Sequence, residues 1–113
     1  MTSVWMNWED LTLKASGHAG AGVNGSDIVC AGISALTQAL LNTLMDAEKR
    51  GRIRLEWSMD EKNGGILMKA SPNAGYRKET EDYYRVIMTG LKAIREHYPE
   101  NIKIGEVWIS GNL

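Results

Sequence analysis

The chain has 113 residues, of which 43% are hydrophobic and 24% charged, the balance of a folded globular domain and not of a disordered one. Thirteen Lys and Arg against fourteen Asp and Glu leave a formal charge of −1, which speaks against direct nucleic-acid binding, since a general nucleic-acid coat carries a basic excess. No apolar run approaches the ~20 residues of a membrane span, and the single cysteine, Cys30, excludes an internal disulfide. The expectation is therefore a single domain over residues 1–113, cytoplasmic and away from membranes.

Ser3 to Asn7 and Leu11 to Ser16 are short apolar-rich segments around the polar Glu9-Asp10, and they predict a hairpin. Residues 17 to 26 carry four glycines in ten positions, a composition that reads as a mobile loop. From Asp27 the pattern changes. Ile28, Val29, Ile33, Leu36, Leu40, Leu41 and Leu44 recur at three- and four-residue spacing, predicting a largely buried helix that ends near Lys49 and Arg50, before Gly51. Asp27 is the expected N-cap of this helix.

Arg52 to Met59 alternates polar and apolar, so a strand is predicted with Ile53, Leu55, Trp57 and Met59 toward the core. Asp60 to Gly65 reads as a turn, Ile66 to Ala70 as its hairpin partner, and Pro72, Asn73 and Gly75 as the break after it. A second helix is predicted over about Lys78 to Tyr98, stopped by Pro99, and a last strand over Ile102 to Ile109. The order ββαββαβ predicts an α+β two-layer sandwich, with two helices on one face of a mainly antiparallel sheet.

Chemistry concentrates at the start of the first helix. With Asp27 as N-cap, Cys30 falls in the first turn, where unpaired N–H groups and the helix dipole favour a thiolate; the alternative is a small buried hydrophobe. His18 lies twelve positions earlier, across the glycine-rich loop, and that loop can bring imidazole and thiol together as a nucleophile and its general base. Its plainer role is a loop histidine satisfied by backbone. Ser34 is one turn beyond Cys30, with a hydrogen bond to its own helix as the plainer role. Asp27 could orient His18, but capping alone accounts for it.

The loop Gly20-Ala21-Gly22-Val23-Asn24-Gly25 has the composition of a phosphate cradle without the Gly-Lys-Ser/Thr ending that one requires. Lys49, Arg50, Arg52 and Arg54 read as a helix end followed by a solvated strand face, and His97 as structural. Two histidines and one cysteine are too few for a zinc cage.

Gly17-His18-Ala19-Gly20, followed by Asp27-Ile28-Val29-Cys30-Ala31-Gly32-Ile33-Ser34-Ala35-Leu36, resembles the ribosomal-processing cysteine proteases called Prp. Gly90 to Ile102, with its Tyr98-Pro99 exit, resembles the second helix of that family. The resemblance implies a homodimeric cysteine endopeptidase with Cys30 as nucleophile and His18 as general base. Gly17, Asp27 and Ser34 match characteristic positions, and the loop bearing Gly20, Gly22, Asn24 and Gly25 is implied to gate substrate. It implies as substrate the N-terminal extension of a large-subunit ribosomal protein (bL-twenty-seven type), or a phage assembly protein with a similar cleavage sequence, and no metal or organic cofactor. Gly32 departs from the family's alanine, costing about 1 kcal/mol of helix propensity. Two rivals stand beside this reading. One is a non-catalytic peptide-binding module in ribosome or phage assembly; the other is a thiol redox sensor, for which the chain has no resolving cysteine.

Overall fold

The elements follow one another as β1 (Thr2–Asn7), β2 (Thr12–Ser16), α1 (Ser26–Lys49), β3 (Ile53–Asp60), β4 (Gly65–Pro72), α2 (Arg77–His97) and β5 (Ile102–Val107). The computed structural model describes residues 1–17, 26–60, 62 and 64–108, with only the backbone of Ser26 and Asp27. The element order is the expected one, and the strands form a single sheet in the order β3-β4-β2-β1-β5. All neighbours are antiparallel except β1 and β5, which pair in parallel from Thr2↔Ile102 to Asn7↔Val107.

This topology dictates where the helices go. Since β2 and β3 both run antiparallel to β4, they point the same way, and α1 is a crossover between them. By the same reasoning β4 and β5 point the same way and α2 crosses between them. Crossovers of this kind are right-handed. The α2 crossover starts from a strand of reversed direction and moves toward the opposite edge, and the two reversals cancel, so both helices land on one face.

The core lies between that face and the helices. Val4, Met6, Leu13, Ala15, Met68 and Ala70 rise from the sheet to meet Val29, Ile33, Leu40 and Leu44 of α1 and Tyr84, Met88 and Leu91 of α2, all buried. Two glycines let the helices approach: a Cβ on Gly32 would sit 3.1 Å from Cδ1 of Ile94, and one on Gly90 3.0 Å from Cδ1 of Leu36. The propensity that Gly32 forgoes is thus offset by close helix packing.

Several expectations are corrected. The helix begins at Ser26, so Asp27 is its second residue and not the cap before it, and Cys30 is the fifth residue instead of the third. Ile53 is buried and Leu55 half-buried, but Trp57 and Met59 are each 44% exposed. Alternation correctly puts all four on one side of β3; it carries no information on where the helix layer stops. Pro72 is the last residue of β4, paired with Ile53, and so lies inside the sheet. The stretch Ile28–Lys49 is, by length and composition, apolar enough to cross a membrane, its most apolar part reaching a mean hydropathy of 1.6. Here one stripe of it packs on the core while Gln38, Asn42, Thr43 and Asp46 face outward, exposed.

Candidate active site

The site lies where β2 ends and α1 begins. β2 runs out at Ser16, and Gly17 follows with φ +91°, a conformation L side chains rarely adopt. A Cβ there would also stand 2.7 Å from the carbonyl oxygen of Met1, a backbone atom that cannot swing aside. Gly17 is therefore obligatory in this turn. His18, Gly20, Gly22, Asn24 and Gly25 lie outside the described residues, so the pairing of His18 with Cys30 and the gating loop are not read from the structure.

Cys30 is half-buried, beside the buried stripe of α1 that Val29 and Ile33 define. It lines a cavity of about 160 Å³ whose floor comes from Ala15 and Ile66, cross-strand partners in β2 and β4. Thr2 of β1, Gly17 and Gly64 close its sides, and Ser34 and Thr37 continue it along α1. A second hollow of about 190 Å³ shares Ser34, Thr37, Gly64 and Ile66 and reaches Gln38 and Met59. Positions 30, 34, 37 and 38 follow one face of α1, so the two hollows form a trough leading away from the thiol toward the β3–β4 turn. Of two larger hollows without Cys30, one of about 490 Å³ lies along α2, and one of about 350 Å³ adjoins the trough, sharing Ala15, Gly65 and Ile66 with it.

The predicted roles along this trough are redistributed. Ser34 is exposed at the rim, not on a buried stripe, and the bonds back into the helix are made by Thr37, whose Oγ1 donates at 2.9 Å to the Ile33 carbonyl and 3.2 Å to that of Ser34. Thr37, Thr2 and Gly64 are site residues that sequence reasoning missed. Only the adjacency of Gly64 and Gly65 in the turn signalled any of them. His97 is structural as expected, its Nδ1 3.0 Å from the Ala93 carbonyl at the end of α2. Of the basic cluster, Arg50 pairs with Asp46 and Arg52 with Glu79, while Arg54 points from the sheet face away from the helices. Among the described residues no group of three His, Cys, Asp or Glu could hold a metal ion.

A nucleophilic side chain near the start of a helix, at the mouth of a trough wide enough for side chains, is the arrangement a thiol hydrolase needs for an extended peptide. The comparisons agree with that reading of the class. The family model of the cysteine protease Prp matches residues 3–103, and the chain belongs to this family. Its fold is similar to that of the essential ribosomal-processing protease Prp of S. aureus, solved with a covalently linked product peptide (24% identity, TM-score 0.77, covering 94% of this chain and 99% of that one). A structure of the same protease with a substrate peptide gives 24% identity, TM-score 0.76 and the same coverage. SMU.848 from Streptococcus mutans is similar at 23% identity and TM-score 0.72, covering 96% of this chain and 93% of that one. No curated protein sequence matches the chain.

Proposed function

We propose that this protein is a cysteine endopeptidase that removes the N-terminal extension of a large-subunit ribosomal protein, of the bL-twenty-seven type, and works as a homodimer in the cytoplasm. The observation that carries the reading is the placement of the chain's single cysteine, near the start of α1 and at the head of a peptide-sized trough. Membership of a cysteine protease family supports it, as does the S. aureus relative described as a ribosomal-processing protease and solved with a substrate peptide.

In the proposed mechanism the Cys30 sulfur attacks the scissile carbonyl carbon as His18 takes the thiol proton. A C–S bond forms and the carbonyl becomes an oxyanion, which backbone N–H groups at the start of α1 would stabilise by about 3 kcal/mol. Collapse breaks the C–N bond, and His18 returns the proton to the leaving amine. Water, deprotonated by the same imidazole, then attacks the thioester, releasing the carboxylic acid and regenerating the thiol. Gly17 holds the chain reversal that leads to His18, Asp27 lies in the first turn of α1, and Ser34 stands at the trough rim.

The test incubates the protein with a peptide carrying that ribosomal extension and reads products by intact mass. Cleavage at one bond by the wild type, with complete loss in Cys30→Ala and at least about 100-fold loss in His18→Ala, is expected. No cleavage of this peptide, with cleavage of a phage assembly sequence instead, would overturn the substrate; binding of either peptide without cleavage would overturn the enzyme.

A further inference from the structure

Both helices lie on one side of the sheet, and among the described residues nothing packs on the other. That open face is built from the alternate residues of every strand: Ser3, Trp5 and Asn7 of β1; Thr12, Lys14 and Ser16 of β2; Leu67 and Lys69 of β4; Arg54, Glu56 and Ser58 of β3; Lys103 and Val107 of β5. Its charges are not distributed as they are elsewhere. On the helix side six of eight cations, Arg50, Arg52, Arg77, Lys78, Arg85 and Lys92, sit within 4 Å of a carboxylate, and only Lys49 and Arg95 there make no salt bridge among the described residues. Among the described residues Lys14, Arg54, Lys69 and Lys103 make no salt bridge, and all but the half-buried Lys69 are exposed. Only Glu56 and Asp60 offset them on this face, leaving an excess of positive charge on a protein whose formal charge is −1.

The cations lie in a line. Lys14 stands opposite Leu67, so Lys69 is its diagonal neighbour; Lys69 stands opposite Glu56, so Arg54 is its diagonal neighbour in turn. Such neighbours are about 7–8 Å apart. At the other end Lys103 pairs with Ser3, one row from Lys14 and Trp5. Trp5 is directly opposite both Lys14 and Gly105, and its Cδ1 reaches 3.3 Å from where a Gly105 Cβ would stand, yet 41% of the residue is exposed. An aromatic ring resting on a sheet with its surface still open, flanked by unpaired lysines and by Ser, Thr and Asn side chains, suits stacking of a base while the cations take phosphates. Beside Lys14 a hollow of about 350 Å³, lined by Ser16, Ser58 and Leu67 among others, offers a hydroxyl-bearing recess for a base edge.

We propose that the helix-free face of the sheet, centred on Trp5 and the Lys103–Lys14–Lys69–Arg54 diagonal, binds single-stranded RNA. Net charge argued against nucleic acid because it averages a basic sheet face with an acidic remainder, and only the topology separates the two. The site adjoins the peptide trough at Ala15, Gly65 and Ile66, but its cations and Trp5 lie on the opposite face of the sheet, and it stands whether or not the proposed peptide is cleaved.

The probe is a fluorescein-labelled twelve-nucleotide oligouridylate, titrated with the full chain at low and rising salt and followed by anisotropy. Affinity is expected to fall linearly on a log–log plot against salt, with the slope reduced by about 0.7 for each of Lys14→Gln, Lys69→Gln and Lys103→Gln. Trp5→Ala should weaken binding about 5- to 150-fold, and bound RNA should quench tryptophan fluorescence in the wild type more than in Trp5→Leu. A control, Lys49→Gln with Arg95→Gln, removes two cations of the helix side and should leave the affinity unchanged. Circular dichroism shows that each variant is folded. Absence of binding at low salt overturns the proposal, as does equal weakening by the control. Equal binding to heparin or to phosphatidylserine vesicles overturns it in favour of a general anion or lipid surface, and a change of oligomeric state in the face variants overturns it in favour of a subunit contact.

Discussion

The two ends of the sheet are constructed on opposite principles. At the end away from Cys30 the chain is densely tied: the Trp8 indole N–H donates to Glu106 at 3.0 Å, Lys92 meets the same carboxylate at 2.9 Å, and Trp108 stacks on Trp8 at 5.4 Å. Arg85 lies over the Trp8 ring, and Arg77 donates to the carbonyls of Trp8 and Glu9 while pairing with Glu81. At the Cys30 end the described walls are mostly small residues, Ala15, Gly17, Ser34, Thr37 and Gly64, with Ile33 and Ile66, around a cavity of about 160 Å³. One end invests its side chains in stability and the other leaves room for something to enter, as binding and catalytic regions do when a rigid scaffold holds them.

Substitutions can break this contrast. The largest expected effect on stability is at the tied end, where Trp8→Ala should cost about 3–5 kcal/mol in urea unfolding, because a residue only 6% exposed loses its packing, its hydrogen bond and its stack at once. At the open end Gly17→Ala should cost about 1–3 kcal/mol from backbone strain, with a further penalty from the Met1 carbonyl. Gly51, at φ +76° with nothing within 4 Å, isolates the strain, so Gly51→Ala should cost less than Gly17→Ala.

Glu106 tests the tied end by titration. Burial raises its carboxyl, but the hydrogen bonds from Lys92 and Trp8 and the nearby cations outweigh that and hold it below the usual glutamate range. A lowered folded-state value means stability that is present above the ordinary value of 4.5 and lost as pH falls through the folded one. The melting temperature should therefore drop on acidification below pH 4.5, and Glu106→Gln should flatten that drop. The smallest effect belongs to Asp46→Ala: its pair with Arg50 is about 60% exposed on both sides, and thermal melts should register less than about 0.5 kcal/mol.

Local features of this fold were legible in the sequence, and features made by distant strands were not. The stripe from Val29 to Leu44 announced α1 because a helix writes its buried face at fixed spacing, and the alternation of Ile53 to Met59 announced β3 for the equivalent reason. Cys30 stood out because it is the only thiol and sits near a helix start. Thr2 could not be read as a wall of the cysteine pocket, nor Glu106 as the partner of Trp8, 98 positions away. Each depends on register between strands that the chain brings together only on folding. The basic sheet face was hidden for a related reason: its four cations come from four strands, and no window of sequence contains more than one of them beside Trp5.

The parallel pairing of β1 with β5 also sets when the site can exist. Thr2 pairs with Ile102, one hundred positions later (102 − 2), and Thr2 is both a wall of the pocket and a neighbour of Gly17. During synthesis β1 precedes β5 by about one hundred residues and waits, one edge unpaired, until β5 has been made. Contacts so far apart in sequence form late, so the pocket around the thiol takes its final shape only once the closing strand has docked. A nascent chain carries the cysteine long before it carries the site.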